Sequence, residues 1–360
     1  MKKIICAMSG GVDSSVAAAL LKRAGFDMIG VFMKFWSPTT SGGGLVGGWN
    51  HCCSPEAEVR ARKVAKILKI PFYVFNFEKE FKKRIVDYFL DGYKKGITPN
   101  PCVVCNKEIK FGLLLEKTLA LDADYVATGH YARKKETRDN RQETRYKLLR
   151  AKDKDKDQSY FLWMLNQEQL NRILFPIGDL TRKEVENLAK KFKLPVLKAK
   201  KSVEICFIQT TINDFLKKYL KEKPGKIVDT QGKILGEHRG LWFYTIGQRK
   251  GIGLSGGPYF VLDKDLKKNF LIVTKNEEDL LKKELVAKNV NLISGKEPKL
   301  PLKVKAKIRY RTKFATAILS KNLEAKAYNL KFFKPQRAIT PGQSVVFYQG
   351  NEVLGGGIIY

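Results

Sequence analysis

Short apolar runs alternate with helical patterns through the first third of the chain: KIICAM, DSSVAAALLKRAG, DMIGVFM, PEAEVRARKVAKILK, PFYVFNF and, later, DYVATGH. Alternation of strand and helix patterns predicts a parallel sheet with helices on both faces. The helix beginning near Asp13 closes at Gly25, and the next takes Ser54 as its N-cap with Pro55 in its first turn. Between the second strand and that helix, SPTTSGGGLVGGWN has no periodicity and reads as a mobile loop or lid over residues 37–50. The mixed-charge stretch RKKETRDNRQETRYKLLRAKDKDKDQSY reads as a solvated hairpin or loop, and packed structure resumes between Gln158 and Phe161 at YFLWML.

The pattern LTRKEVENLAKKFKLP is an amphipathic helix ended by Pro195. Beyond KAKKSVEICFIQ the helical period is lost, and a glycine-punctuated segment runs from Pro224 to about Leu271. From about Leu285 short strands follow: LPLKVKAKIRYR, FATAILS, LEAKAYNLKFF, a turn at TPGQ, then SVVFYQG and VLGGGIIY. They predict a small antiparallel barrel or sandwich, in which RYRTK, residues 309–313, alternates basic and aromatic residues along a strand. That strand would present either a solvated face or an RNA contact. No internal repeat is present, and 360 residues exceed one ordinary core.

Charge adds a partner class. Lys and Arg total 68 against 36 acidic residues, a net charge of +32 spread along the chain. A polyanion such as RNA or DNA fits this balance, as does a lysine-loaded surface from codon usage or a hot habitat. No stretch approaches the roughly 20 apolar residues needed to span a bilayer, and the first residues read as a buried strand rather than a signal peptide. Cys6, Cys52, Cys53, Cys102, Cys105 and Cys206 are too sparse for a disulfide scaffold and fit a reducing cytoplasm.

Two motifs carry chemistry. AMSGGVDSS, residues 7–15, ends the first strand and opens the first helix, where glycines and unpaired helix-start amides suit a phosphate. It lacks the GxxxxGK[ST] spacing of the kinase-type loop and resembles the pyrophosphate loop of ATP pyrophosphatases, which implies adenylation of a substrate oxygen. NPCVVCN, residues 100–106, admits three readings. A zinc site needs two more closely spaced ligands, which adjacent Cys52 and Cys53 with His51, His130 and His238 supply poorly. A redox pair belongs at a helix start after a strand, whereas DGYKKGITPNP reads as a loop. A single reactive thiol is the third reading, and Cys206, alone, is a small buried core residue.

AMSGGVDSS, GITPNPCVVCNKEIKFG, ATGHYAR, KDQSYFLW, SVEICFI and YTIGQRKGIG, in that order, resemble the tRNA-specific 2-thiouridylases over essentially the whole chain. The resemblance implies an adenine nucleotide alpha hydrolase-like (PP-loop) domain over 1–206, a small central domain over 207–282 and a tRNA-binding β-barrel over 283–360. It implies a cytoplasmic enzyme that uses ATP, with Mg2+, and persulfide sulfur to replace the C2 oxygen of the wobble uridine of tRNA. The sulfur would come from a donor protein, a cysteine desulfurase or a relay protein.

The resemblance also assigns roles. Cys206 matches the persulfide carrier and Cys105 the nucleophile that forms a transient disulfide with it. Ala7, Met8, Ser9, Gly10, Gly11, Val12, Asp13, Ser14, Met33 and Gly129 match ATP contacts. Asn100, Pro101 and Cys102 match the stretch that meets the target base. His130, Lys156, Asp157, Gln158, Tyr310, Arg311 and Gln343 match tRNA contacts.

Some relatives carry aspartate where this chain has Cys102, so no carboxylate acts there. Cys102 is then a spare thiol, a sulfur relay point, or a third ligand with Cys105 and Cys206 for an iron–sulfur cluster; no other metal site is expected. The alternatives are a cluster-dependent thiolase, a non-thiolating adenylating enzyme of the same superfamily, and an RNA-binding protein whose loop senses nucleotide. In the leading reading adenylation turns a poorly electrophilic urea-like carbonyl into one with a leaving group. The base would have to leave its stack to reach the pocket.

Overall fold

The first strand, β1 (Lys3–Ala7), is apolar at every position after Lys3, and those residues are all buried. A strand with no solvated face must lie inside a sheet covered on both sides. The computed structural model, which describes residues 1–38, 53–138, 142–197 and 205–360, places β1 at the centre of a parallel sheet. Its neighbours in sequence are β2 (Asp27–Lys34), β3 (Phe72–Asn76) and β4 (Tyr125–Ala127). A hairpin of β5 (Ala132–Arg138) and β6 (Thr144–Arg150) follows, and β7 (Ile173–Leu174) completes the order β3-β2-β1-β4-β7.

Parallel neighbours need crossovers, which the helices Val12–Arg23 and Pro55–Leu68 provide. Ser54 caps the second of these, its side chain accepting from the Ala57 amide at 3.2 Å, with Pro55 in the first turn as expected. The strand order steps from β1 outward to β2 and β3 on one side and to β4 on the other. At such a reversal the loops after β1 and β4 part, leaving a crevice at the strands' carboxyl ends.

The glycine-punctuated segment folds as a second sheet, for which the sequence reading assigned no strands. It contains β8 (Gly225–Val228), β9 (Ile234–His238), β10 (Phe260–Asp265) and β11 (Phe270–Thr274), ordered β10-β11-β8-β9. The last six strands are β12 (Leu281–Leu292), β13 (Leu302–Lys307), β14 (Ala315–Asn322), β15 (Ala327–Arg337), β16 (Ser344–Gln349) and β17 (Glu352–Ile359). They pair in the order β12-β15-β14-β13-β16-β17, and β17 pairs again with β12, closing an antiparallel barrel. Val304, Ala306, Leu319, Leu330, Phe332 and Phe347 are buried in its own hydrophobic cluster.

The barrel is joined to the first domain through strands. The charged hairpin of β5 and β6 extends the barrel sheet, with Leu148 and Leu149 opposite Val353 and Glu352 of β17. Gly356 lies against the Trp163 ring, where a Cβ would come within 2.8 Å. The Asn291 amide of β12 donates to the carbonyls of Trp163 at 2.7 Å and Leu165 at 2.9 Å.

The strand expected through RYRTK is corrected. β13 stops at Lys307, and residues 308–312 form a turn in which Thr312 N donates to Arg309 O at 3.2 Å and Thr312 Oγ1 to the same oxygen at 2.8 Å. A Thr hydroxyl competing for the backbone ends the ladder. Arg309 turns inward, donating to Ile246 O at 3.2 Å, Ala338 O at 3.0 Å and Thr340 Oγ1. One guanidinium thus ties the central sheet to the barrel. Arg309→Met strands these acceptors and is expected to cost about 3 kcal/mol, read as a lower urea midpoint; an unchanged midpoint would show that the tie contributes nothing.

Candidate active site

At the end of β1, Met8 N donates to Val31 O at 2.8 Å and the chain then turns through Gly10 at φ +71°. A side chain there would also meet Ala57 O at 2.1 Å, so only glycine lets the loop lie against the helix Pro55–Leu68. Gly11 is the N-cap of the helix Val12–Arg23 and no side chain caps that helix. The loop's own carbonyls are taken up: Arg60 Nε donates to Gly10 O at 3.1 Å, and Ser14 and Ser15 hydroxyls donate to Gly11 O at 3.2 and 2.8 Å. Ser9 N donates to Ser14 Oγ at 3.1 Å, closing the loop on itself. The uncapped amides at the helix start are donors for an arriving anion, and the helix start adds its positive end.

Gly129, just past β4, completes the crevice. A Cβ there would come within 2.6 Å of Ser14 N, so the two loops touch backbone to backbone. Ala7, Met8 and Val12 are buried, which leaves them backbone contacts only; Met33 lies on β2 beyond the β1 partner Val31 and is half-buried. The cradle fits a nucleotide phosphate. Asp13 is the loop's one carboxylate, and its Oδ1 accepts from Arg182 Nη1 at 2.6 Å and Tyr131 Oη at 2.8 Å. Burial, with Asp13 beside it, pushes the Tyr131 phenol well up, so it stays a donor. Neither partner was singled out from sequence: Tyr131 merely follows ATGH, and Arg182 reads as one charge on an amphipathic helix.

The thiols lie in a separate helical layer. Asn100 caps the helix Pro101–Cys105, its Oδ1 accepting from Val103 N at 3.4 Å, and Pro101 begins the first turn. The expected loop before it is shorter than the sequence suggested: Asp87–Lys94 is helical, and only residues 95–100 are irregular. Cys102 and Cys105 therefore do sit at a helix start, Cys102 half-buried and Cys105 only 7 % exposed. Wide turns over Asn106–Leu113 continue that helix, and Asn106 Nδ2 donates to Phe161 O at 3.2 Å.

Cys206 is half-buried. Its neighbour Phe207 packs on Phe81 and Phe89, with ring centroids 5.9 and 5.4 Å away, in the layer that also packs on the helix Pro101–Cys105. Among the described residues no group of three or more His, Cys, Asp or Glu side chains is arranged to hold a metal, so Cys102, Cys105 and Cys206 do not fit a cluster as they stand. The lid expected over 37–50 lies outside the described residues from residue 39, as do His51, Cys52 and residues 198–204 before Cys206.

The RNA-matched residues divide by exposure. Lys156 and Arg311 are exposed; Asn100, Cys102, Gln158 and Tyr310 are half-buried. Tyr310 packs on Phe161 at 4.5 Å between ring centroids. Pro101, His130 and Asp157 are buried. Asp157 accepts from Ala151 N at 3.1 Å, Ser159 N at 3.2 Å and Arg150 Nε at 3.0 Å. Gln158 holds the Tyr131 backbone in both directions, Tyr131 N to its Oε1 at 2.9 Å and its own N to Tyr131 O at 2.8 Å. The Gln343 amide donates to Thr98 O at 2.8 Å.

Three domain families match in succession: "tRNA methyl transferase HUP domain" over residues 2–210, "tRNA methyl transferase PRC-barrel domain" over 213–275 and "Aminomethyltransferase beta-barrel domain" over 282–359. The chain is 48% identical over 357 residues to "tRNA-specific 2-thiouridylase MnmA" of Moorella thermoacetica, covering 98% of both. It is 48% identical to "tRNA-specific 2-thiouridylase MnmA 2" of Thermoanaerobacter sp. and 49% identical to "tRNA-specific 2-thiouridylase MnmA 1" of Caldanaerobacter subterraneus, covering 99% of this chain and 97% of each relative. The chain belongs to the tRNA-specific 2-thiouridylase family. Its parallel-sheet domain, small central domain and closed barrel agree with the expected architecture. No helix among the described residues is long and apolar enough to cross a membrane.

His130, matched to an RNA contact of this family, is enclosed by Phe111 and Phe175 and bonded through Nδ1 to Thr128 Oγ1 at 2.8 Å. Burial, with the Lys110 charge adding to it, holds its pKa well below 6.5. The unfolded chain then takes up a proton that the folded chain refuses, so this contribution to stability is whole above pH 6.5 and declines as pH falls through it. We expect no His130 titration by NMR between about pH 8 and about pH 5.5, with stability falling toward the acid end. An imidazole that titrates near 6.5 would overturn this assignment.

Proposed function

We propose that this chain thiolates C2 of the wobble uridine of tRNA, using ATP to adenylate the C2 oxygen and a persulfide on Cys206 as the sulfur source. The observation that carries this reading is an anion cradle, its carboxylate already compensated, in a domain whose helices hold Cys105 and pack on Phe207 beside Cys206. The relatives' printed name supports the same activity. The matched domain name speaks of methyl transfer, but methylation gives no use to two thiols or to a pyrophosphate-type loop.

The uracil C2 oxygen attacks the α-phosphorus of ATP and pyrophosphate leaves toward the loop after β1, where uncapped amides receive its charge. Magnesium brought by the nucleotide would be held chiefly by phosphate oxygens, with Asp13, the loop's carboxylate, as the side chain that could help to hold it and so offset charge on the phosphates. The terminal sulfur of the Cys206 persulfide then attacks C2. The Cys105 thiolate attacks the inner sulfur, the S–S bond of the persulfide breaks, and its electron pair stays with the sulfur on C2. AMP departs with the former C2 oxygen, and a Cys105–Cys206 disulfide remains. An external dithiol returns two electrons and a donor protein reloads Cys206. No step passes through an iron–sulfur cluster.

Cys105→Ser and Cys206→Ser are each expected to abolish 2-thiouridine while leaving tRNA affinity within a few-fold, measured by mass spectrometry of nucleosides and by a binding assay. Wild-type thiolation by the Cys206 variant would sink the mechanism. With tRNA as the polyanion partner of a chain of net charge +32, affinity should drop at least about tenfold between about 50 and about 200 mM salt. A flat profile would assign the lysines to something other than RNA.

A further inference from the structure

Residues 95–100 link the helix Asp87–Lys94 to the helix Pro101–Cys105, and beside bonds back to that first helix they take contacts from both of the other domains. Lys264, on β10 of the central sheet, donates from Nζ to Gly96 O at 3.1 Å. Leu266 packs beside the same glycine, where a Cβ would come within 2.8 Å of its side chain. From the barrel, Pro341 O accepts from Thr98 N at 2.9 Å and Gln343 Nε2 donates to Thr98 O at 2.8 Å. Gly342, at φ +89°, leaves no room for a side chain against Ile97 and Thr98, 3.0 Å away. Asn100 is bonded by the Tyr160 side chain, whose hydroxyl donates to Ser344 O at 2.8 Å.

The helix that carries Cys105 runs from Pro101 through the wide turns of Asn106–Leu113 to Leu119, and both of its cysteines lie in its first turns, next to the strap. Its own cap is long, 3.4 Å from Val103 N to Asn100 Oδ1. Its first turn is therefore held by the strap on one side and by the buried helix body, with Ile109, Phe111 and Leu114, on the other. Lys264 is half-buried against one carbonyl, and burial pushes its ammonium down to about 8, a cost that a surface lysine avoids.

We propose that Lys264 and Gln343 are positioning residues for Cys105, holding residues 96–100 from the central sheet and from the barrel so that the first turns of the thiol helix are fixed by both domains. The inference rests on the reading of Cys105 as the nucleophile. It gives the two smaller domains a part in the chemistry besides any RNA contact, and it gives Gln343 a role inside the protein. Displacement of a reacting group by about 1 Å is worth up to about a hundredfold in rate, so a modest slackening of the strap is measurable.

The test uses the full-length chain with Lys264→Met, Lys264→Arg and Gln343→Leu. Steady-state thiolation with a reductant and a sulfur source in excess gives kcat and the KM for tRNA; peptide mass spectrometry gives the iodoacetamide alkylation rate at Cys105. Lys264→Met and Gln343→Leu are expected to lower kcat about tenfold with KM little changed, and to raise alkylation of the otherwise buried Cys105 several-fold. Lys264→Arg, which keeps a cationic donor, should recover most of both. Wild-type kcat and alkylation in Lys264→Met overturn the proposal, as does a Gln343→Leu variant that changes only KM. Should Lys264→Met lose its fold by circular dichroism, the decision passes to Gln343→Leu, with the same two outcomes. Full activity in Cys105→Ser would instead sink the nucleophile reading, whereas the alkylation rate reports on the strap regardless.

Discussion

An anion can rest at the end of β1 because the negative charge of Asp13 is cancelled before it arrives. A carboxylate in the first turn of a helix favours the helix itself but opposes any phosphate sharing the same amides. Arg182 and Tyr131 resolve the conflict by meeting one carboxylate oxygen from two directions. Arg182 is itself held, through Nε to Glu186 at 2.7 Å and through its amide to Asp153 at 2.8 Å. The pair is about one-third exposed, so solvent weakens the attraction, yet its geometry is fixed on three sides. The cradle is therefore a property of the folded chain and not of the nine-residue motif.

The same dependence on distant parts governs the thiols. Cys105 sits in the first turns of its helix, and the residues leading into it are bonded to β10 and to the turn before β16. Arg309 binds those two domains to each other. Closing the barrel leaves its sheet no unpaired edge except where β17 accepts the hairpin of β5 and β6, so the barrel has one preferred place to dock. A chain that reads as three successive modules is thus cross-linked at the level of strands and carbonyls.

What could be read in the sequence follows from this. The buried run of β1, the glycine loop after it and the Ser54–Pro55 helix start are local, so their residues announce them. The barrel strands alternate clearly enough to be read, apart from RYRTK, where Thr312 captures a backbone carbonyl that periodicity does not reveal. The central sheet was illegible because its strands are short and separated by glycines with positive φ, among them Gly247, Gly251 and Gly253. The charged hairpin hid its destination: β5 and β6 look solvated, yet β6 borders the barrel. Arg182 and Lys264 give no sign of their roles, and Arg309 reads as part of a solvated or RNA-facing strand, for one reason, that each acts on a group far away in sequence.

Several residues matched to RNA contacts act here as framework, which changes what a substitution at them means. Gln158 secures the Tyr131 backbone, Tyr131 bonds Asp13, and Asp157 is buried among two amides and Arg150. Loosening Gln158 would disturb the compensation of Asp13, so lost activity there does not by itself diagnose a lost RNA contact. Lys156 is different. It is exposed on the same stretch and takes part in none of those internal bonds through its side chain, which makes it the position where charge removal reads the RNA surface separately from the nucleotide cradle. Adjacent residues of one motif thus serve different ends: Lys156 is turned toward solvent, Asp157 is buried against Arg150 and two amides, and Gln158 secures the Tyr131 backbone beside the cradle.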